Sequence, residues 1–300
     1  MSGRKVLQGY IFAIASAVIY GCMPLMAKYI YADGVTPFSL VFYRNFFALP
    51  ALAVLALLQC KSLKVPLREL PKMSLISILG CSLTPILLFS SYQFIDSGTA
   101  TVFHFGYPAI VVIAGFLFFR QKVPKGNLIS IIICIVGILM FFSPGQKLDA
   151  TGVLCSLGSA VTFAMYVLLL SGFSQRTTTG YLFCFYIAAI SSAVTLAICL
   201  FTGEMTLPSS ARGWILCFVF AMAVTVGAVA LFQQSTFIIG GQKTSILSTL
   251  EPITGVVVGA LVFSEKITVR TAIGSVLVIS ASILIAVFDM RKEKSYNRNN

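Results

Sequence analysis

Two opposite charges sit inside apolar runs of this chain. Arg44 lies within FYRNFF (Phe42–Phe47) and Glu251 within TLEPITGVVVGALVFSEK (Thr249–Lys266). An ionised group at the depth such runs imply costs roughly 2.5 kcal/mol or more, so something must offset the cost or use it. The two can pair directly, as a permanent ion pair that fixes packing, or through a substrate held between them. His104 is the one histidine. It reads either as a hydrogen-bonded contact between helices or as a group that senses or relays protons. Asn45, Gln93 and Gln233 are weaker polar candidates. Tyr20, Tyr43, Tyr107 and Tyr166 can line a cavity with one apolar face and one hydroxyl. Pro108 and Pro252 each remove a backbone donor and crowd the carbonyl one turn back, His104 and Ser248 respectively, which predicts a kink beside these groups.

The same inventory argues against enzyme chemistry. H-E-x-x-H and G-x-S-x-G are absent, and so is a P-loop that would bring in ATP. The eight cysteines form no C-x-x-C and read as small apolar packing residues. No metal and no cofactor is expected.

The elements that must position these residues follow from composition. Of 300 residues 58% are hydrophobic and 10% charged, against about 25% charged in a soluble domain. The solvent for such a chain is lipid. Apolar runs recur at 8–31, 36–59, 73–93, 98–119, 126–143, 151–172, 179–201, 212–236, 243–263 and 268–288. Each approaches the ~20 residues a helix needs to cross the hydrocarbon core. They are continuous rather than alternating, so they predict helices, ten in all. Arg44 and Glu251 each lie eight residues inside their runs, about 12 Å at 1.5 Å per residue. In a core ~30 Å thick both fall near the midplane.

Net charge +12 does not mark a nucleic-acid binder, because the basic residues are scattered over short loops. With the N-terminus inside, fifteen fall on the inner side and five on the outer, Arg44 remaining within a span. This asymmetry predicts a multi-pass cell-membrane protein with both termini cytoplasmic. Arg4 and Lys5 precede an apolar run that continues past Ala15-Ser16-Ala17, so the first helix is expected to stay uncleaved. The tail from Arg291 is polar.

The halves of the chain resemble each other. SAVIY (Ser16–Tyr20) and SAVTF (Ser159–Phe163) follow Gly9 and Gly152 at an offset of 143. YPAIVVIAGFLFFRQKV from Tyr107 aligns with EPITGVVVGALVFSEKI from Glu251 at an offset of 144. Five spans is an odd number, so the second copy enters the membrane upside down relative to the first. The expected fold is all-α, with ten transmembrane helices in two inverted five-helix repeats, 1–146 and 147–300. In that architecture substrate sites lie near the midplane between repeats.

Taken together, these features resemble the drug/metabolite transporter superfamily and its EamA-type transporters. The resemblance rests on the ten spans in two halves, on Leu250-Glu251-Pro252, on Ser264-Glu265-Lys266 and Gly274 beyond it, and on the small residues Ala100 and Thr244 eight positions before each proline. The first half departs from the pattern at Gln121 and Ser130. The resemblance implies a secondary-active transporter that exports small metabolites, such as amino acids or amphipathic compounds, by alternating access. A cavity bearing Arg44, Glu251 and tyrosines suits a zwitterion or a polar aromatic. The runner-up is uptake or exchange of a phosphorylated or sugar-linked metabolite, and the rival class is a membrane-embedded enzyme. Expected partners are a small-molecule substrate, a proton as candidate coupling ion, and the bilayer.

Overall fold

The computed structural model describes residues 3–60, 62–95, 97–119, 125–140, 149–173, 180–263 and, near the C-terminus, 269–270, 272–277, 279–281 and 284. Helices account for the regular structure of these residues, and no strand occurs among them. Six helical stretches are long and apolar enough to cross a membrane: Arg4–Ala32, Pro37–Cys60, Leu70–Ser91, Ala150–Phe173, Gly180–Thr202 and Ala211–Ile239. They match six of the ten expected runs to within four residues. The expected joint at 146/147 and the tail from Arg291 lie outside the described residues.

Several stretches are composite. Arg4–Ala32 contains α1 (Gly3–Gly21) and α2 (Met23–Ala32), and Pro37–Cys60 contains α3 (Pro37–Phe46) and α4 (Leu49–Cys60). In the third, α5 (Leu70–Ser77) and α6 (Thr84–Ser91) are joined by a π-helical segment, Ile78–Leu83. The 98–119 run is split into α7 (Ser97–His104) and α8 (Tyr107–Phe119), followed by the shorter α9 (Lys125–Leu139). α10 (Ala150–Phe173) and α11 (Gly180–Thr202) are continuous. The next stretch repeats the π-helical device, with Ala221–Val229 between α12 (Ala211–Phe220) and α13 (Ala230–Ile239). Gly240, at φ +86°, turns the chain into α14 (Gly241–Leu247). A single 3₁₀ turn, Ser248–Leu250, separates α14 from α15 (Glu251–Phe263). The split expected spans carry Pro108 and Pro252 in the first turn of their second pieces, where a missing N–H costs least.

Lipid as solvent explains the surface. On α1, Leu7, Ile11, Ile14 and Val18 form an exposed stripe, while Ala13, Ser16 and Ala17 are buried. Small residues let the helices approach. α1 packs along α13, and α10 packs along α6. A Cβ on Gly9 would strike Ile238 and Ile239, and one on Gly152 would strike Phe94 and Ile95. α3 and α4 both pack on α11.

One end of the bundle is tied by polar contacts between segments far apart in sequence. The Thr36 hydroxyl donates to the Glu204 carbonyl (2.7 Å), as does that of Ser39 (3.0 Å). The Thr206 N–H donates to Ser39 Oγ (2.8 Å) and the Tyr43 hydroxyl to the Thr206 carbonyl (2.8 Å). Alongside, the Ser210 hydroxyl and N–H donate to the two carboxylate oxygens of Asp33 (2.7 and 3.1 Å). These bonds clasp the α2–α3 turn to the α11–α12 turn.

Candidate functional site

Arg44 occupies the last turn of α3, whose start is set by Pro37 and by Thr36, the side chain of which accepts from the Ser39 N–H (3.2 Å). Its neighbour Asn45 fixes that turn. The Asn45 side-chain amide donates to the Val41 carbonyl (2.7 Å) and to Ser191 Oγ on α11 (3.0 Å), and Ser191 is itself bonded to Ser82 (2.8 Å). Arg44 is buried, with 4% of its surface exposed. Its Nε finds no partner.

Glu251 opens α15 directly after the 3₁₀ turn and is half-buried. A Cβ on Gly21 would strike the Glu251 carbonyl and Thr254, so Gly21 lets α1 lie against the start of α15. Among the described residues neither the Arg44 nor the Glu251 side chain makes a hydrogen bond or ion pair. The permanent Arg44–Glu251 ion pair considered from sequence is not formed.

Both groups line one cavity, of about 490 Å³ of space between atoms with its mouth included. Tyr20, His104 and Tyr107 line it as well. Small-molecule sites combine mostly apolar walls with a few convergent polar groups, and this cavity has that make-up. Met23, Leu88, Phe89, Phe163 and Phe232 supply the apolar wall here. Tyr107 and Phe163 meet edge to face at 4.6 Å, and Phe163 contacts Phe232 at 5.4 Å. The Tyr107 hydroxyl donates to the Ser245 carbonyl (3.2 Å), tying α8 to α14. His104 Nδ1 lies 2.8 Å from Ser159 Oγ on α10.

The remaining sequence candidates lie elsewhere. Asn45 serves the α3–α11 contact just described. Tyr43 belongs to the clasp and packs against Trp214 at 5.4 Å. Gln233 donates to the Tyr166 hydroxyl (3.1 Å) and accepts from the Cys184 thiol (2.9 Å), a buried tie between α10, α11 and α13. Tyr166 sits behind the wall. A Cβ on Gly80 would run into its ring, so Gly80 is the residue that lets the π-helical segment close over it. Gln93 is exposed past the end of α6.

Phe163, Phe232, Phe89, Thr84 and Ser248 were not singled out as lining residues from sequence. The internal repeat could have found most of them. Tyr20 and Phe163, and Phe89 and Phe232, are related by the offset of 143, and His104 and Ser248, and Tyr107 and Glu251, by 144. All eight line the cavity. Among the described residues no three His, Cys, Asp or Glu side chains cluster as metal ligands.

Comparison with known proteins bears on this arrangement. Two consecutive stretches, 7–143 and 150–287, match the EamA-like transporter family. A protein of Clostridium kluyveri described as an uncharacterized transporter is 23% identical over 294 residues, covering 92% of each chain. The uncharacterized inner membrane transporter YicL of Salmonella typhimurium is 22% identical over 303 residues, covering 96% of this chain and 98% of its own. A solved crystal structure superposes with a TM-score of 0.74 at 14% identity, covering 95% of this chain and 98% of that one. That likeness speaks to fold alone.

Proposed function

This chain belongs to the EamA-like transporter family, and from that premise we propose that it is a secondary-active carrier that exports a small amphipathic zwitterion by alternating access. One observation carries the proposal: Arg44 and Glu251 line the same cavity, and among the described residues neither has an ion-pair partner. Unpaired charge within a membrane is expensive and tends to mark a substrate pathway. A molecule with a carboxylate and an ammonium group neutralises both charges at once, and its apolar part meets Phe89, Phe163 and Phe232.

Alternating access needs two halves that move about a central site. The mirrored features support ten spans in two inverted repeats, 1–146 and 147–300. The π-helical segments begin at Ile78 and Ala221, an offset of 143. The Gly9 approach to Ile238 and Ile239 has its counterpart in the Gly152 approach to Phe94 and Ile95. Four residue pairs at offsets of 143 or 144 surround the cavity. The basic asymmetry of the loops supports cytoplasmic termini, and the description of one relative as an inner membrane transporter supports a cell-membrane location. On that orientation the clasp lies on the outer side of the bundle. The export direction rests on family resemblance. Uptake or exchange of a phosphorylated metabolite is less well supported, because among the described residues Arg44 is the one Lys or Arg lining the cavity.

The test is a growth screen of cells with and without the gene against toxic concentrations of amino acids, amines and organic acids, followed by flux in proteoliposomes. Zwitterionic hits with gradient-driven flux support the proposal. Flux confined to phosphorylated substrates, or no flux for any hit, overturns it.

A further inference from the structure

His104 has an imidazole whose two nitrogens are held very differently. Nδ1 is 2.8 Å from Ser159 Oγ. The Ser159 hydroxyl is 2.6 Å from the Ser156 carbonyl, and a carbonyl only accepts. A hydroxyl has one proton. Spent on Ser156, it leaves Ser159 able only to accept toward His104, and the proton between the two residues then belongs to Nδ1. Ser156 is anchored in turn, its own hydroxyl donating to the Ala100 carbonyl on α7. Nε2 makes no hydrogen bond to any described residue and is not among the sealed polar atoms. The ring itself lines the cavity.

The surroundings set the charge. The ring packs against Phe105, Tyr107 and Phe163, with centroids 5.4 to 5.9 Å away. Glu251 lines the same cavity without forming an ion pair with it. An imidazolium here would carry a second N–H that no described residue accepts, and an unpaired charge is costly to bury.

We propose that the Ser156–Ser159 chain holds His104 as the neutral Nδ1–H tautomer, so that Nε2 faces the cavity as an obligate acceptor selecting the donor end of the substrate. In free histidine the Nε2–H tautomer predominates, so the serines impose the less common form, as a partner on one ring nitrogen does. His104 is then a specificity residue on the ammonium side of the site and Ser159 its positioning residue. The assignment of a substrate end rests on the transporter reading above. The tautomer does not.

Because the chain has a single histidine, ¹⁵N-histidine labelling of the full chain, purified on a tag without histidine, reports this ring alone. At neutral pH the expected spectrum shows a protonated Nδ1 and a bare, pyridine-type Nε2. Ser159→Ala is expected to move the proton to Nε2. A wild-type Nε2 that carries a proton, in either the neutral or the cationic ring, overturns the tautomer assignment.

The selecting role is read with phenethylamine and 3-phenylpropionate as probes. The ammonium is expected to shift the Nε2 signal and the carboxylate to leave it. A signal that neither probe moves, or that only the carboxylate moves, overturns the role. Glutamine can bring a carbonyl to the position of Nε2, whereas asparagine reaches only that of Nδ1. Phenethylamine binding should therefore survive His104→Gln within about threefold. It should fall about tenfold or more in His104→Asn, the scale of one hydrogen bond to a charged group. Equal loss in both variants overturns the acceptor role. A spectrum as expected in a protein that moves no substrate would leave the tautomer standing and remove the transporter reading instead.

Discussion

At the scale of single residues, Arg44 and Glu251 can be told apart from a structural pair. Removing one partner of a buried ion pair typically costs 3–5 kcal/mol, because the other charge is left uncompensated. Here the pair is not formed, so Arg44→Ala should insert and melt close to wild type while substrate flux falls at least about tenfold, the scale of one lost charge-assisted hydrogen bond. Thermal unfolding in detergent and flux in proteoliposomes check this. A large loss of stability rescued by adding Glu251→Ala would restore the ion-pair reading. Glu251→Gln keeps the shape and removes the charge. It should insert normally and lose most of its flux for zwitterions. Wild-type flux in this variant would take Glu251 out of the site. Both residues were legible from sequence, since charge in an apolar run is conspicuous. That they do not touch was not legible, because it depends on how far apart α3 and α15 are held.

Among the elements, the clasp between the α2–α3 and α11–α12 turns is the part whose opening can be measured. Asp33 is half-buried and lies just past the end of the apolar stretch Arg4–Ala32. The Ser210 hydroxyl, helped by neighbouring N–H groups, holds its carboxyl below the usual carboxylate range. The sign follows from that direction. A depressed folded-state pKa contributes stability that is present above the ordinary aspartate value, about 3.9, and lost as pH falls through the lowered one. The clasp should therefore be indifferent to pH between about 5 and 8 and weaken only in acid. In cysteine-free protein carrying Leu88→Cys in the cavity wall, an impermeant reagent on the clasp side should label several-fold faster once Asp33→Ala is added. Unchanged labelling would mean that the clasp does not gate the cavity. The π-helical segment offers a second test. Gly80→Ala drives a Cβ into the Tyr166 ring, which Gln233 holds in place. Overpacking of this kind costs typically 1–3 kcal/mol. Thermal unfolding should show the loss, and Tyr166→Leu in the same chain should recover part of it.

For the molecule as a whole, the prediction is topological. Single reporter cysteines at Glu204 and Asp149 should label from outside and one at Ser295 from inside, in otherwise cysteine-free protein. Asp149 caps α10 by accepting from the Thr151 and Gly152 N–H groups (2.8 and 3.2 Å), so its replacement costs about 1 kcal/mol of helix stability. Glu204 is exposed and carries no such duty. Labelling of Ser295 from outside would reverse the orientation and with it the side on which the clasp lies.

What the sequence determined by itself is the solvent, the helical class and the internal repeat. Each follows from a property summed along the chain: apolar runs of membrane length, their continuity, and similarity at a constant offset. The prolines likewise carry a local instruction, because a missing N–H acts within one turn wherever the helix lies. Which polar residues share a space was decided only by tertiary structure. Asn45 and Arg44 are adjacent in sequence, yet one is spent on the Ser191 contact and the other lines the cavity. Tyr166 and Phe163 lie one helical turn apart, and the polar one sits behind the wall while the apolar one forms it. Residue type cannot separate such neighbours. A rotation of about 100° per residue around the helix points each at a different neighbour, and the neighbour is supplied by a segment a hundred or more residues away.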